Sequence, residues 1–176
     1  MQKDLWIHPR ERLACAMELL TGARVVADIG CDHGRLSCAL VQSGAAEKCV
    51  AIDISADSLE KARRLAERIG VSDRVETRLG DGFGPLIPGE ADALAILGMG
   101  GTLMTRILET AGIPLGGARL CVLQPMRAAE DIRRWLTGPD LSLSIGIDVR
   151  SAAWHDVPCD QLLLVRSHKD SADGES

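Results

Sequence analysis

The 176-residue chain has no Cys-x-x-Cys pair, no apolar run near the ~20 residues of a membrane-spanning helix, and no excess of lysine and arginine. Each absence removes a class of function. The six cysteines, at 15, 31, 38, 49, 121 and 159, fall mostly within apolar strand or helix patterns, so they read as reduced core thiols and not as zinc ligands or disulfides. The opening Met1-Gln2-Lys3-Asp4-Leu5-Trp6 lacks the long apolar segment of a secretion signal, and a cytoplasmic protein without a membrane partner is expected. A formal charge of -5 argues against broad nonspecific nucleic-acid binding while leaving room for a local basic face. Arginines do gather, at Arg10, Arg12 and Arg24, at Arg63, Arg64, Arg68, Arg74 and Arg78, and at Arg127, Arg133 and Arg134. The middle group reads as solvated helix faces, and the outer two are expected near the loops of the binding crevice.

Hydrophobic residues make up 46% of the chain, enough at this length for one domain with a core covered on both faces. Strand-like runs at 24–29, 48–54, 74–79, 92–97 and 119–124 alternate with helical patterns, which implies a parallel α/β sheet. Between 9 and 20 the apolar residues 13, 16, 17 and 20 have helical spacing, for a segment at the sheet edge or over the crevice mouth. Ser55 caps a helix over 56–69 whose stripe is Leu59, Ala62, Leu65, Ala66 and Ile69, and Gly70 ends it. Further helices are predicted at 102–110 and 128–136. The runs 143–149 and 161–165 lie too close together for a helical crossover and should pair antiparallel, and the polar segment 167–176 reads as a disordered tail.

The segment Val25-Val26-Ala27-Asp28-Ile29-Gly30-Cys31-Asp32-His33-Gly34 is a buried-type strand running into a glycine turn, with a helix starting near Arg35. Such a turn presents free backbone amides to a ligand. The dinucleotide fingerprint places glycine where the backbone meets pyrophosphate, and here that position is Asp32. A carboxylate there repels phosphate, whereas the acids at 28 and 32 suit S-adenosylmethionine, which carries a sulfonium and an ammonium. Parallel open sheets bind ligands at the carboxyl ends of their strands, which directs attention to the residues ending each run. Asp53 ends the second, twenty-five residues beyond Asp28, followed by Ile54. It is either an acceptor for two ribose hydroxyls or an Asx turn.

The third run ends Gly80-Asp81-Gly82, where the acid is placed to accept from the exocyclic amine of adenine, although the triplet is also a common turn. The fourth ends Leu97-Gly98-Met99-Gly100-Gly101-Thr102. Many amino-group methyltransferases carry there an Asn or Asp, two prolines and an aromatic residue. Only backbone groups and a thioether replace that tetrad, so the loop positions a substrate without acting as a base. Gln124 ends the fifth run as a possible contact to a base edge. His33 beside a glycine turn reads as a structural hydrogen bonder, and Cys31, Asp32 and His33 in a row are a poor metal set, so no metal is expected.

Ala-Asp-Ile-Gly-Cys-Asp-His-Gly, Arg-Leu-Gly-Asp-Gly, Gly-Met-Gly-Gly-Thr-Leu and Leu-Gln-Pro-Met-Arg, with Ile132, Arg133, Trp135 and Leu136 following, together resemble the bacterial tRNA methyltransferases that modify N1 of adenine 22. The likeness covers roughly 8–166 and includes Arg12-Leu13. It implies a Rossmann-like class I methyltransferase fold: a seven-stranded, mostly parallel sheet with an antiparallel last strand. It also implies S-adenosylmethionine as cofactor, lined by Asp28, Gly30, Asp32, His33, Asp53, Ile54, Asp81, Gly82 and Gly98. Gly98, Met99 and Gly100 would hold the target adenine with Gln124 at its edge, and Arg10, Arg12 and Arg127 would meet phosphates. Members of the family continue into a helical C-terminal domain that helps hold tRNA, and none is read here. Another RNA, a small molecule, or a noncatalytic S-adenosylmethionine-binding role are the rival readings. A monomer or a homodimer is expected.

Overall fold

The computed structural model describes residues 11–111, 114–138, 147–154 and 157–167. Its elements are α1 (Glu11–Leu20), β1 (Ala23–Ile29), α2 (Arg35–Ser43), β2 (Ala46–Asp53), α3 (Ala56–Ile69), β3 (Val75–Leu79), β4 (Ala93–Met99), α4 (Gly101–Glu109), a 3-10 turn (Pro114–Gly117), β5 (Leu120–Pro125), α5 (Ala129–Leu136), β6 (Ile147–Trp154) and β7 (Val157–Ser167). The strands form one seven-stranded sheet in the order β3-β2-β1-β4-β5-β7-β6. β1 to β5 run parallel, while β7 is antiparallel to both β5 and β6. The expected fold is the observed one.

Alternation along the central strands divides the core in two. Val26, Cys49 and Ala51 face one layer with Leu20, Leu40 and Leu59, while Ala27, Ile29, Val50 and Ile52 face the other with Met104, Ile132 and Leu136. A sheet apolar on both faces has to be covered twice, and the crossover helices supply those covers. In α3 the Ser55 hydroxyl accepts the Ser58 amide, Leu59, Ala62 and Ala66 are buried, and Gly70 closes the helix at φ 75°. Emptying such a position, as in Leu59→Ala, costs about 2–5 kcal/mol.

Two expectations about the chain's end are corrected. The sixth strand runs Ile147–Trp154 and the seventh Val157–Ser167, longer than the apolar runs suggested, so Ser167 pairs with Ile147 and is not part of a tail. A strand held by main-chain bonds extends through polar residues that carry no apolar signal. Residues 143–146 of the predicted sixth strand and 168–176 of the predicted tail lie outside the described residues. No helix among the described residues is long and apolar enough to cross a membrane.

Candidate active site

The chain winds outward from β1 to β3 in one direction and from β4 to β5 in the other. Between β1 and β4 their carboxyl ends open into a crevice of about 1220 Å3, where open α/β sheets take ligands. Asp28, Gly30, Asp32, His33, Asp53, Ile54, Asp81, Gly82, Gly98, Met99 and Gln124 all line it. Gly100 and Arg127 stand beside it without lining it. Arg10 lies outside the described residues, and Arg12 sits on α1 with its side chain undescribed. Arg24 is at the start of β1, the opposite end of the sheet, where it pairs with Asp92 at 3.5 Å, so it is not a crevice residue.

The turn after β1 needs left-handed backbone at Gly30 (φ 75°), Asp32 (φ 50°) and Gly34 (φ 70°). Gly34 has a second constraint, because a Cβ there would lie 2.6 Å from that of Ala62 and push α2 away from α3. The Gly30 and Cys31 amides both donate to the Ile52 carbonyl, at 2.8 and 3.0 Å, which draws the turn against the end of β2. Asp53 completes the join: one carboxylate oxygen accepts from the Asp32 amide and the other from the Ser55 amide, each at 2.9 Å. The Asx turn weighed as an alternative is thus present, and each oxygen retains capacity to accept a further bond. The two readings of Asp53 are compatible.

Asp28 is buried at the crevice floor and accepts a 2.6 Å bond from the Ser37 hydroxyl. Burial pushes its carboxyl up to about 6, the Ser37 bond opposing that rise and the neighbouring Asp53 charge adding to it. The five described cysteines are buried free thiols. Burial, with the Asp28 charge adding, pushes Cys38 up to about 12 and Cys31 and Cys49 well above the usual range, so they are inert. His33 sits at the rim with its Nε2 3.4 Å from Asp32 and 3.3 Å from the Lys61 ammonium.

The loop after β4 is clamped to the loop after β5. Met126 donates its amide to the Met99 carbonyl at 2.7 Å, and Gly101 donates to the Arg127 carbonyl at 2.9 Å, just past a bulge between Leu97 and Met99. The Met99 thioether lies directly on Gly30, so the two loops touch across the crevice. Gly100 is extended (φ -74°, ψ 146°) and a Cβ there would make only ordinary contacts with Arg127, 3.7 Å away, so no glycine-only backbone is required at that position. The demand falls on its neighbours: Gly98 is left-handed at φ 75°, and a Cβ at Gly101 would collide with the Ala128 carbonyl.

Sequence reasoning also missed Arg78. It is on β3 with its side chain 20% exposed, and it is no solvated helix residue. Its guanidinium donates to both Glu90 oxygens (2.6 and 3.0 Å), to Glu76 (2.7 Å) and to the Pro85 carbonyl (3.0 Å), tying down the loop that begins with Gly80 and Asp81. Those bonds hold the Glu76 and Glu90 carboxyls below the usual range. An arginine near the end of a strand, twelve residues before a glutamate, was the available signal.

The sequence profile described as "methyltransferase domain" matches residues 10–145. A tRNA (adenine(22)-N(1))-methyltransferase from Bacillus subtilis (strain 168) is 38% identical over 126 residues, 72% of this chain and 53% of that enzyme, so the chain spans about half the length of that relative. The crystal structure of the B. subtilis tRNA methyltransferase TrmK superposes with a TM-score of 0.72 at 30% identity, covering 92% of this chain and 66% of the other. Streptococcus pneumoniae Sp1610 in complex with S-adenosyl-L-methionine gives 0.77 at 23% identity, over 91% and 73%, a likeness of fold. Strand order, switch-point crevice and a profile match over more than half of the sequence agree: the chain belongs to the methyltransferase-domain family.

Proposed function

We propose that the protein binds S-adenosylmethionine in the crevice and methylates N1 of an adenine in tRNA, at position 22 as in the B. subtilis relative's name. The observation that carries the reading is the Gly98–Gly101 loop, clamped to Met126 and Arg127 and resting through Met99 on the Gly30 turn, because it sets a target site directly against a nucleoside-type crevice. The donor set fits the cofactor. Acids at 28, 32, 53 and 81 line a space large enough for it, and Asp32 takes the place where a dinucleotide needs glycine. When bound, S-adenosylmethionine supplies a methyl group on a positively charged sulfur.

The chain's own residues bind and align. Asp53 offers its two remaining lone pairs to ribose hydroxyls, Asp81 accepts from the adenine amine, and Asp28 supplies negative charge at the floor. N1 of neutral adenine has a free lone pair, so no side chain has to remove a proton. Alignment alone is worth ~7–11 kcal/mol of a barrier, and backbone groups of Gly98, Met99 and Gly100 with the Gln124 amide are placed to provide it. The product ring is cationic, and nearby carbonyls and carboxylates favour it. Arg127, with Arg10 and Arg12, takes phosphates, and the reaction belongs in the cytoplasm, where tRNA is found.

Mass spectrometry of nucleosides from tRNA incubated with the protein and labelled cofactor tests this. Labelled 1-methyladenosine is expected, and it should vanish when the substrate tRNA carries another base in place of adenine 22. Label in another nucleotide or a small molecule would move the substrate, and cofactor binding without transfer to any RNA would leave a binding module.

A further inference from the structure

Arg35 opens α2 directly after the Gly30–Gly34 turn and lines the crevice with its side chain exposed. It has no hydrogen-bond or ion-pair partner among the described residues. It is also the one permanently cationic side chain among the described residues lining that space, which otherwise carries the carboxylates of Asp28, Asp32, Asp53 and Asp81. Three of those acids have partners of their own, Asp28 with Ser37, Asp32 with His33 and Asp53 with two backbone amides, and Arg35 is bonded to none of the four. Arg35 is therefore not their counter-ion.

We propose that Arg35 receives the α-carboxylate of the cofactor's amino-acid portion and so makes the site select a nucleoside carrying an amino acid over the nucleoside alone. The inference rests on the S-adenosylmethionine reading above. Its ligand brings one carboxylate into a crevice whose other permanent charges are negative, and a carboxylate brought there without a cation is repelled by all four acids. A guanidinium at the rim of the turn answers it with two parallel N–H donors, which an ammonium or an imidazole does not offer. Asp28 and Asp32 remain for the ammonium and sulfonium.

Calorimetry with three ligands separates the possibilities: S-adenosylhomocysteine, its decarboxylated analogue and methylthioadenosine, against wild type, Arg35→Ala and Arg35→Lys. Arg35→Ala should weaken S-adenosylhomocysteine about tenfold or more, as expected for a lost charge-assisted pair. It should leave the two ligands without a carboxylate within about twofold, and Arg35→Lys should recover part of the loss. Equal weakening of all three ligands by Arg35→Ala overturns the proposal, since the side chain would then only support the turn. So does unchanged S-adenosylhomocysteine affinity with weakened tRNA binding, which makes Arg35 a phosphate contact. A wild-type protein that binds none of the three overturns the cofactor reading itself, a result distinct from either.

Discussion

Asp53 holds the Asp32 amide at 2.9 Å, so the residue placed to bind ribose also fixes the shape of the turn after β1. Asp53→Ala should therefore lower S-adenosylhomocysteine affinity at least tenfold, combining a lost charged acceptor at about 1.5–3 kcal/mol per bond with a loosened turn. Asp53→Asn keeps one acceptor oxygen and should fall between. Calorimetry on both variants gives the answer, and a folded Asp53→Ala protein with unchanged affinity would reduce Asp53 to a turn residue.

Substitutions in the loop after β4 should separate its glycines. Gly101→Ala puts a methyl into the Ala128 carbonyl and opposes the Gly101–Arg127 hydrogen bond, so methyl transfer should drop by about a hundredfold, roughly 2.7 kcal/mol of positioning. Cofactor affinity should change less than threefold, about 0.65 kcal/mol. Gly100→Ala, with room and an ordinary backbone, should retain most of the transfer. Single-turnover rates alongside calorimetry decide it, and an inactive Gly100→Ala would mean that the target base itself fills the space over that residue.

Stability should depend on Asp28 with a definite sign. Its carboxyl titrates near 6 in the fold against 3.8 as its ordinary value, so the native state holds the proton more tightly between the two. Stability from the protonated form is complete below about pH 4 and lost as pH rises through about 6, leaving a cost on the order of 3 kcal/mol above it. The groups acting on it are the Ser37 hydroxyl and the Asp53 carboxylate, with the protonated thiols of Cys31, Cys38 and Cys49 close by. Asp28→Asn should stabilise the ligand-free protein by about 1–3 kcal/mol at pH 8, with the gain vanishing near pH 4. Urea unfolding at the two values measures it, and a gain independent of pH would place the effect in packing.

Arg78→Ala should cost about 1–3 kcal/mol of stability, because it leaves Glu90 without its cation and Glu76 with Lys48 alone, and frees the Pro85 carbonyl. The loop carrying Asp81 then loosens, and cofactor affinity should fall on the order of three- to tenfold. Arg78→Lys, which keeps the charge without the fork, should be intermediate in both. Thermal melts and calorimetry on the pair would refute the link if stability fell with affinity unmoved.

The helix at 56–69 was legible to the residue, because Ser55 and Gly70 mark its ends chemically and its stripe repeats at helical spacing. The five parallel strands came out within two residues of their observed ends for the same kind of reason: buried strands must be apolar. Crevice residues were readable since a parallel sheet fixes where ligands go. What stayed hidden depends on neighbours distant in sequence. Which glycine of the Gly-Met-Gly-Gly loop lacks room is decided by Ala128, and whether Arg78 is solvated is decided by Glu90. The hairpin of β6 and β7 was underestimated because its length is written in main-chain pairing.

The seat of Met99 on Gly30 also bears on how the protein should age. Its five described thiols are buried, and Cys31, Cys38, Cys49 and Cys121 are held protonated, so peroxide has little thiolate to attack there. Met126 is 54% exposed and Met99 only partly covered, and conversion of Met99 to its sulfoxide would set a polar, larger group against the glycine turn. Oxidative loss of the site would then track thioethers, and methionine sulfoxide reductase, in place of a thiol reductant, would restore it.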